Sequence, residues 1–171
     1  KGSGRTRIEF RIPARGLIGY RSEFLTDTRG TGLLNTYFDG FDDFRGEIEG
    51  RRSGAIISDR KGVATAYAIF GLEDRGSMFI QSGTKVYMGM IIGEANKATD
   101  LNVNICREKK LTNVRASGND EGIKLTPPKK LTLESALEWV KDSELIEITP
   151  NNVRLRCREL DPNKRKVKKE K

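Results

Sequence analysis

The residues best suited to chemistry in this sequence are cations and short polar side chains in one irregular stretch, residues 107–121. Lys109, Lys110 and Arg115 can neutralise phosphates, and Gly118 permits close approach of a backbone. Short hydrogen-bond donors and acceptors accompany them at Thr112, Asn113, Ser117 and Asn119. This composition is compatible with contact to RNA phosphates and 2′-hydroxyl groups. A solvated connection between two elements is the competing interpretation.

The absence of histidine removes most of the common catalytic arrangements. It excludes Ser-His-Asp and Cys-His catalysis together with histidine-based metal sites. The chain also lacks the GxxxxGK[ST] and GxGxxG phosphate-binding motifs. Its two cysteines, Cys106 and Cys157, form no CxxC pair, which argues against a disulfide scaffold or a zinc site and favours a reducing cytoplasm. We therefore expect neither catalysis nor a metal or cofactor on this chain.

The charge balance favours a polyanionic partner. The 171 residues include 32 Lys and Arg against 24 Asp and Glu, a net charge of +8 with a pI of about 9.6. The segment 161–171 is strongly basic, and we predict that it is disordered in isolation. RNA contact and a solubilising role are both open for it. No apolar run approaches the roughly 20 residues that span a bilayer, and no signal segment opens the chain, so we expect a soluble protein.

A second set of cations lies on the last predicted strand. Arg154, Arg156 and Arg158 alternate with apolar residues and should form one face of that strand. This face could contact RNA, or it could pair with Glu144 or Glu147 across a hairpin.

The elements that must position these residues fall into two groups. Alternation of apolar and polar residues predicts strands over residues 6–13 and 32–38. Between them, helically spaced apolar residues followed by glycine predict a helix over residues 14–30. This β-α-β unit is too small to be a domain by itself. Beyond residue 44, short apolar runs separated by turn residues predict strands at 54–58, 63–72, 76–80, 84–94 and 101–106. Spacing of this kind is typical of a small antiparallel barrel or sandwich.

After the long loop, one helix and two strands are predicted. Pro127 and Pro128 end the irregular stretch, and Thr132 caps a helix. Leu133, Ala136, Leu137 and Val140 recur at i, i+3, i+4 and i+7 in this helix. Strands follow at residues 145–148 and 152–160, separated by a turn.

Long stretches of the chain resemble the TypA/BipA family of translational GTPases. They include RIEFRIPARGLIGYRSEFLTDTRGTGLLN, GVATAYAIFGLEDRGSMFI and KKLTNVRASGNDEGIKLTPPKKLTLESALEWVKDSELIEITP. The resemblance runs from about residue 4 to residue 161. It implies an α+β protein: residues 1–43 form the second half of an elongation factor G domain V-like ferredoxin fold. Residues 44–160 form a mainly β, OB-like barrel with one inserted helix and a long loop, and a basic tail follows at 161–171.

The resemblance also implies a function in the cytoplasm, on the ribosome. Family members bind near the A site, and the loop corresponding to residues 107–121 reaches toward the acceptor end of tRNA and large-subunit ribosomal RNA. It further implies links to ribosome assembly and stress response. GTP and Mg²⁺ would belong to a G domain outside this sequence, so no cofactor, small-molecule substrate or membrane is expected here.

The predicted nucleic-acid-binding residues come from the loop, its return segment and the last strand. They are Arg107, Lys109, Lys110, Thr112, Asn113, Arg115, Ser117, Gly118, Asn119, Lys129, Lys130, Arg154, Arg156 and Arg158. The alternative function is a basic module that binds a protein or a membrane surface. Glu134 and Glu138 on the predicted helix disfavour the membrane version of this alternative.

Overall fold

The computed structural model describes residues 4, 6–46, 51, 53–109 and 123–165. The chain divides into two compact units, Lys1–Glu49 and Gly50–Lys171, whereas the sequence pattern had suggested a boundary at residue 43. The predicted α+β class is confirmed, with helices in both units and a mainly β second unit.

The first unit is built around one short helix. A 3-10 turn at Ala14–Leu17 precedes helix α1, Tyr20–Asp27, and Gly19 separates them with a φ of 86° that only glycine adopts easily. At the other end, Gly30 has a φ of 75° and donates its N–H to the carbonyl of Leu25 at 2.7 Å. This bond completes a Schellman-type helix end. The helix predicted over residues 14–30 is therefore confirmed in its second half.

The two strands predicted to flank this helix are wrong for the described residues. Residues 6–13 and 32–38 form no β-strand within the described range 6–46. Their apolar side chains face solvent, and Phe10 is 80% exposed. In a split β-α-β unit the two strands pair with a third strand that lies between them rather than with each other. The described residues of this unit supply no such strand, so residues 6–13 and 32–38 have no partner for backbone hydrogen bonds.

The second unit contains eight short strands among its described residues. They are β1 (Ala55–Ser58), β2 (Gly62–Val63), β3 (Gly76–Met78), β4 (Lys85–Val86), β5 (Met90–Ala95), β6 (Leu101–Val103), β7 (Glu144–Ile148) and β8 (Val153–Cys157). The main sheet has the order β6-β1-β5-β8-β7, with β3 also pairing with β5, while β2 and β4 form a separate ribbon. Only the β1–β6 pair is parallel among these ladders. The predicted strands at 54–58, 145–148 and 152–160 are confirmed over most of their length, and those at 76–80 and 101–106 in their first three residues. The run 84–94, predicted as one strand, contains two, β4 and most of β5, because a turn at residues 88–89 interrupts it.

The main sheet separates two hydrophobic cores. Ile56 and Ile92 enter one core, whereas their neighbours Ile57 and Ile91 enter the other. Adjacent residues of a strand point to opposite faces, so each central strand serves both cores. Continuous apolar runs rather than alternation are the sequence mark of strands covered on both faces.

The first core is covered by a helix that the sequence pattern did not predict. The run 63–72 had suggested a strand, but it contains helix α2, Ala66–Phe70, directly after β2. Thr65 caps this helix by accepting the N–H of Ala68 at 3.1 Å. Two adjacent residues, Ala68 and Ile69, are buried, which is a helical burial pattern and not the alternation of a half-exposed strand.

The second core is covered by helix α3, Leu133–Trp139, which the sequence predicted. Thr132 and Ser135 form a reciprocal capping box at its start. The buried residues are Ala136 and Trp139, however, while Leu137 is 54% exposed. The predicted apolar face therefore differs by part of a helical turn from the face that packs on the sheet. The packed face is the one that carries the large indole ring of Trp139.

Candidate nucleic-acid interface

The predicted binding residues divide into those that the structure describes and those that it does not. Seven lie outside the described residues: Lys110, Thr112, Asn113, Arg115, Ser117, Gly118 and Asn119. The other seven are Arg107, Lys109, Lys129, Lys130, Arg154, Arg156 and Arg158. The role of this set in binding nucleic acid stays a prediction.

Arg107 begins the long loop from a fixed position beside α2. The Thr65 hydroxyl donates to the carbonyl of Arg107 at 2.6 Å, and the Thr65 N–H donates to the carbonyl of Ile105 at 3.1 Å. The Arg107 guanidinium donates to the Tyr67 hydroxyl at 3.0 Å and lies 5.1 Å from the centre of the Tyr67 ring. One threonine therefore caps α2 and also anchors the start of the loop. Arg107 and Lys109 are both exposed.

Lys129 lies on the return segment of the loop, where it is held at two points. Its N–H donates to the carbonyl of Met78 at 2.8 Å, and its ammonium pairs with Glu94 at 3.1 Å. Burial alone would raise the pKa of Glu94, but hydrogen bonds from Ser53 and Lys129 outweigh it and lower that pKa. Lys130 is exposed. Of these two lysines, Lys129 is engaged in an ion pair, so its charge is already partly neutralised.

A small cleft lies beside this return segment. Its volume is about 210 Å³, and Glu73, Ser77 and Lys129 are among the residues that line it. Glu73 accepts the N–H of Thr126 at 2.6 Å. This bond ties the return segment to the sheet rather than leaving a carboxylate free for chemistry.

The arginines of β8 do not form a uniform row of free cations. Arg156 pairs with Glu147 on β7 at 2.9 Å, and Tyr87 donates its hydroxyl to the same carboxylate at 2.5 Å. Both burial and this hydrogen bond raise the pKa of Tyr87. Arg154 lies opposite Glu147 in the strand register, and Arg158 is exposed. Cross-strand pairing is thus the role of Arg156, whereas Arg158 is open to a ligand.

The β8 arginines share a sheet face with α2. Arg156 is opposite Met90, whose side chain lies in the first core, while Leu155 is opposite Ile91 in the second core. Residues two apart on a strand point the same way. Arg154 and Arg156 therefore lie on the face that α2 covers.

Arg51 is the cation whose role the sequence did not reveal. In the sequence, Arg51 and Arg52 stand in a GRRSG turn, a pattern that is compatible with RNA contact or with solvation of the turn. Arg52 lies outside the described residues. Arg51 instead forms a buried ion pair with Glu144 at 2.9 Å, with side chains 5% and 4% exposed. Its guanidinium stacks on the Trp139 ring at 3.3 Å. Arg51 is a structural residue, and no local sequence signal links it to a carboxylate 93 residues away.

The two units differ in charge as well as in packing. Residues 1–49 contain 8 Lys and Arg and 8 Asp and Glu, so their net charge is zero. Residues 50–171 contain 24 Lys and Arg against 16 Asp and Glu, so the net charge of +8 lies entirely in this unit. Within the described residues, no helix is long and apolar enough to cross a membrane, and no group of three or more His, Cys, Asp or Glu side chains could hold a metal.

Comparison with known proteins divides the chain in a similar place. The family model described as the TypA/BipA C-terminal domain matches residues 53–162, and that of the elongation factor G C-terminus matches residues 1–52. The second match agrees with the ferredoxin-like origin expected for the first unit.

Three curated relatives carry the name large ribosomal subunit assembly factor BipA. Those of Escherichia coli strain K12 and Haemophilus influenzae are 52% and 49% identical to this chain over 166 residues. That of Synechocystis is 48% identical over 154 residues, which is 90% of this chain. For the first two, the aligned part is 96% of this chain but 27% of the relative. Because the C-terminal domain model covers well over half of its residues, this chain belongs to the TypA/BipA family.

Proposed function

We propose that this chain is the ribosome-binding part of a cytoplasmic TypA/BipA-type translational GTPase, where it contacts large-subunit ribosomal RNA and the acceptor end of A-site tRNA. The family membership and the ribosomal name of the relatives support this proposal. The chain spans only 27% of that relative, so the activity of a whole protein is part of the proposal. GTP and Mg²⁺ would be bound by a G domain elsewhere in the parent protein.

The observation that carries the proposal is the concentration of the whole net charge in the second unit. A basic surface attracts a nucleic acid through phosphate neutralisation and counterion release. Exposed cations occur at both described ends of the loop, at Arg107, Lys109, Lys124 and Lys130. Residues 110–122, which the sequence predicts to be a loop and which lie outside the described residues, would add Lys110 and Arg115.

The first test is the salt dependence of binding to purified large ribosomal subunits, measured by co-sedimentation. Affinity should fall steeply as salt rises, because each neutralised phosphate releases counterions. Replacing Lys109, Lys110 and Arg115 together by alanine should lower the affinity by more than tenfold and reduce the salt slope by about three.

A matched control removes the same charge from other exposed positions. Arg21, Lys85 and Lys97 are exposed and lie outside the predicted interface, so their triple alanine variant loses three charges without touching the loop. If both triple variants lose affinity equally, the interaction is a non-specific charge effect and the loop assignment fails. Binding to anionic vesicles in preference to ribosomal subunits would instead support the alternative, a basic membrane-surface module.

A further inference from the structure

We propose that the outward face of α2, formed by Tyr67 and Phe70 beside Arg107, stacks one unpaired RNA nucleotide. This inference rests on the proposed function, because it assumes that the second unit binds RNA. It adds a base-recognition surface to a set of residues that otherwise contacts only phosphate and ribose.

The geometry of α2 separates its aromatic residues from its core residues. Ala68 and Ile69 are buried in the first core. Tyr67 and Phe70 are three residues apart, so they are neighbours on the side of the helix that faces away from that core. Phe70 is 56% exposed and Tyr67 is half-buried. A short, well-anchored helix thus presents two adjacent aromatic rings to solvent.

Arg107 supplies the charge that distinguishes this surface from an ordinary apolar patch. Its guanidinium holds the Tyr67 ring through the hydroxyl contact at 3.0 Å and remains exposed. The carbonyl of Arg107 is fixed by Thr65, the residue that also caps α2. Thr65 therefore positions both Arg107 and the helix that carries Tyr67 and Phe70. The placement of these three side chains relative to one another rests on described residues.

The combination of an aromatic ring with an adjacent guanidinium fits a nucleotide. Bases stack on aromatic side chains, and an arginine beside the ring can bind the phosphate of the same nucleotide. Stacking on a protein ring requires a base that is not paired within an RNA double helix, so the partner is a single-stranded or looped RNA and not a duplex. Lys109, two residues after Arg107, would contribute to the same backbone contact.

The test compares a short single-stranded RNA that carries one 2-aminopurine with a blunt RNA duplex of equal phosphate number, using the full chain. The wild-type protein should quench the 2-aminopurine fluorescence on binding. Phe70→Leu keeps an apolar side chain but removes the ring, and it should weaken single-strand binding by about 5- to 100-fold. Duplex affinity, which depends on phosphates, should change less than twofold.

Two further variants separate the ring from its surroundings. Tyr67→Phe keeps the ring and should retain quenching, whereas Tyr67→Leu should lose it. Leu137→Ala removes an equally exposed apolar side chain from α3, at 54% exposure, and should leave both affinities unchanged. Circular dichroism and Trp139 fluorescence verify that each variant is folded.

The outcomes distinguish this inference from the function on which it rests. If the protein binds both RNAs but Phe70→Leu and Tyr67→Leu bind the single strand as well as the wild type does, the stacking surface is refuted and RNA binding stands. If neither RNA nor ribosomal subunits are bound at any salt concentration, the proposed function is refuted and the inference falls with it.

Discussion

The two units of this chain use similar apolar side chains in opposite ways. In residues 1–49 large aromatic side chains face solvent, with Phe41 95% exposed, and the net charge is zero. In residues 50–171 most of the described large apolar side chains fill two cores on either side of a sheet, with Phe70 and Leu137 among the exceptions. This part of the chain also carries the entire net charge. The second unit thus combines a closed interior with a cationic surface. Among the described residues of the first unit no hydrophobic side chain is buried, and residues 1–49 carry no net charge.

The difference shows how much of this fold depends on pairing between distant segments. In the first unit the described backbone hydrogen bonds connect residues close in sequence, such as Gly30 and Leu25, and its distant contacts are made by exposed side chains, such as Arg11 with Asp39. In the second unit β5 pairs with β1, β3 and β8, so a single strand connects segments on both sides of the long loop. We therefore expect the second unit, with these long-range ladders, to contribute most of the chain's free energy of unfolding.

The largest effect should come from breaking the buried ion pair of the second unit. Glu144→Ala leaves the Arg51 guanidinium buried without its partner, and this change should lower the free energy of unfolding by about 3–5 kcal/mol. Trp139 is the only tryptophan and contacts Arg51, so urea unfolding followed by its fluorescence reports this unit directly.

A double variant supplies the control for that experiment. Replacing the pair with apolar residues, as Arg51→Met with Glu144→Leu, should recover most of the loss, because no unpaired charge remains buried. A loss below about 1 kcal/mol for Glu144→Ala would mean that the pair is solvated and that the second unit is less tightly packed than described.

An intermediate effect is expected from acid. The lowered pKa of Glu94 means that the folded state keeps this carboxylate charged at a pH where the unfolded state takes up a proton. The resulting stabilisation is present above the ordinary value of 4.5 and is lost as pH falls through the folded-state pKa. Glu94→Gln should therefore be less stable at neutral pH and show a shallower pH dependence below about pH 5. The free energy of unfolding is measured by urea titration at a series of pH values. If it falls with decreasing pH equally in the variant and the wild type, this role of Glu94 is contradicted.

The smallest effect is predicted for the first unit. Phe41→Ser removes a ring that is 95% exposed, so the free energy of unfolding should change by no more than about 0.5 kcal/mol. Binding of the dye ANS should decrease, because exposed aromatic surface is removed. A loss above about 1 kcal/mol would show that Phe41 is covered in solution and would weaken the contrast between the units.

The sequence was most informative where local pattern decides structure. Strands β1, β3, β6, β7 and β8 were predicted because short apolar runs are bounded by turn residues, and α3 because Thr132 caps a periodic segment. Helix α2 was missed because five residues give too short a window to separate helical from strand spacing. The flanking strands of the first unit failed because strand formation requires a partner as well as a pattern.

The candidate site was less predictable than the fold for the same reason. Arg156 and Arg158 are equivalent in the sequence pattern, but only Arg156 lies beside Glu147 in an ion pair. Arg51 looked like a surface cation because its partner, Glu144, is remote in sequence. A cation's role is set by the carboxylates that folding brings near it, and periodicity does not contain this information.

The burial of β1 on both faces has a consequence for how this protein can vary. All four of its residues, Ala55 to Ser58, are buried, and Ile56 and Ile57 project into different cores. A polar or charged substitution at Ala55, Ile56 or Ile57 would enter one core or the other, and the buried Ser58 hydroxyl is already paired with the carbonyl of Arg60. A one-residue insertion would exchange the two sets of side chains. The strand thus has no tolerant position. Variation in the proposed RNA-binding surface would therefore arise on the elements around β1, such as α2 and the described residues on either side of the predicted loop.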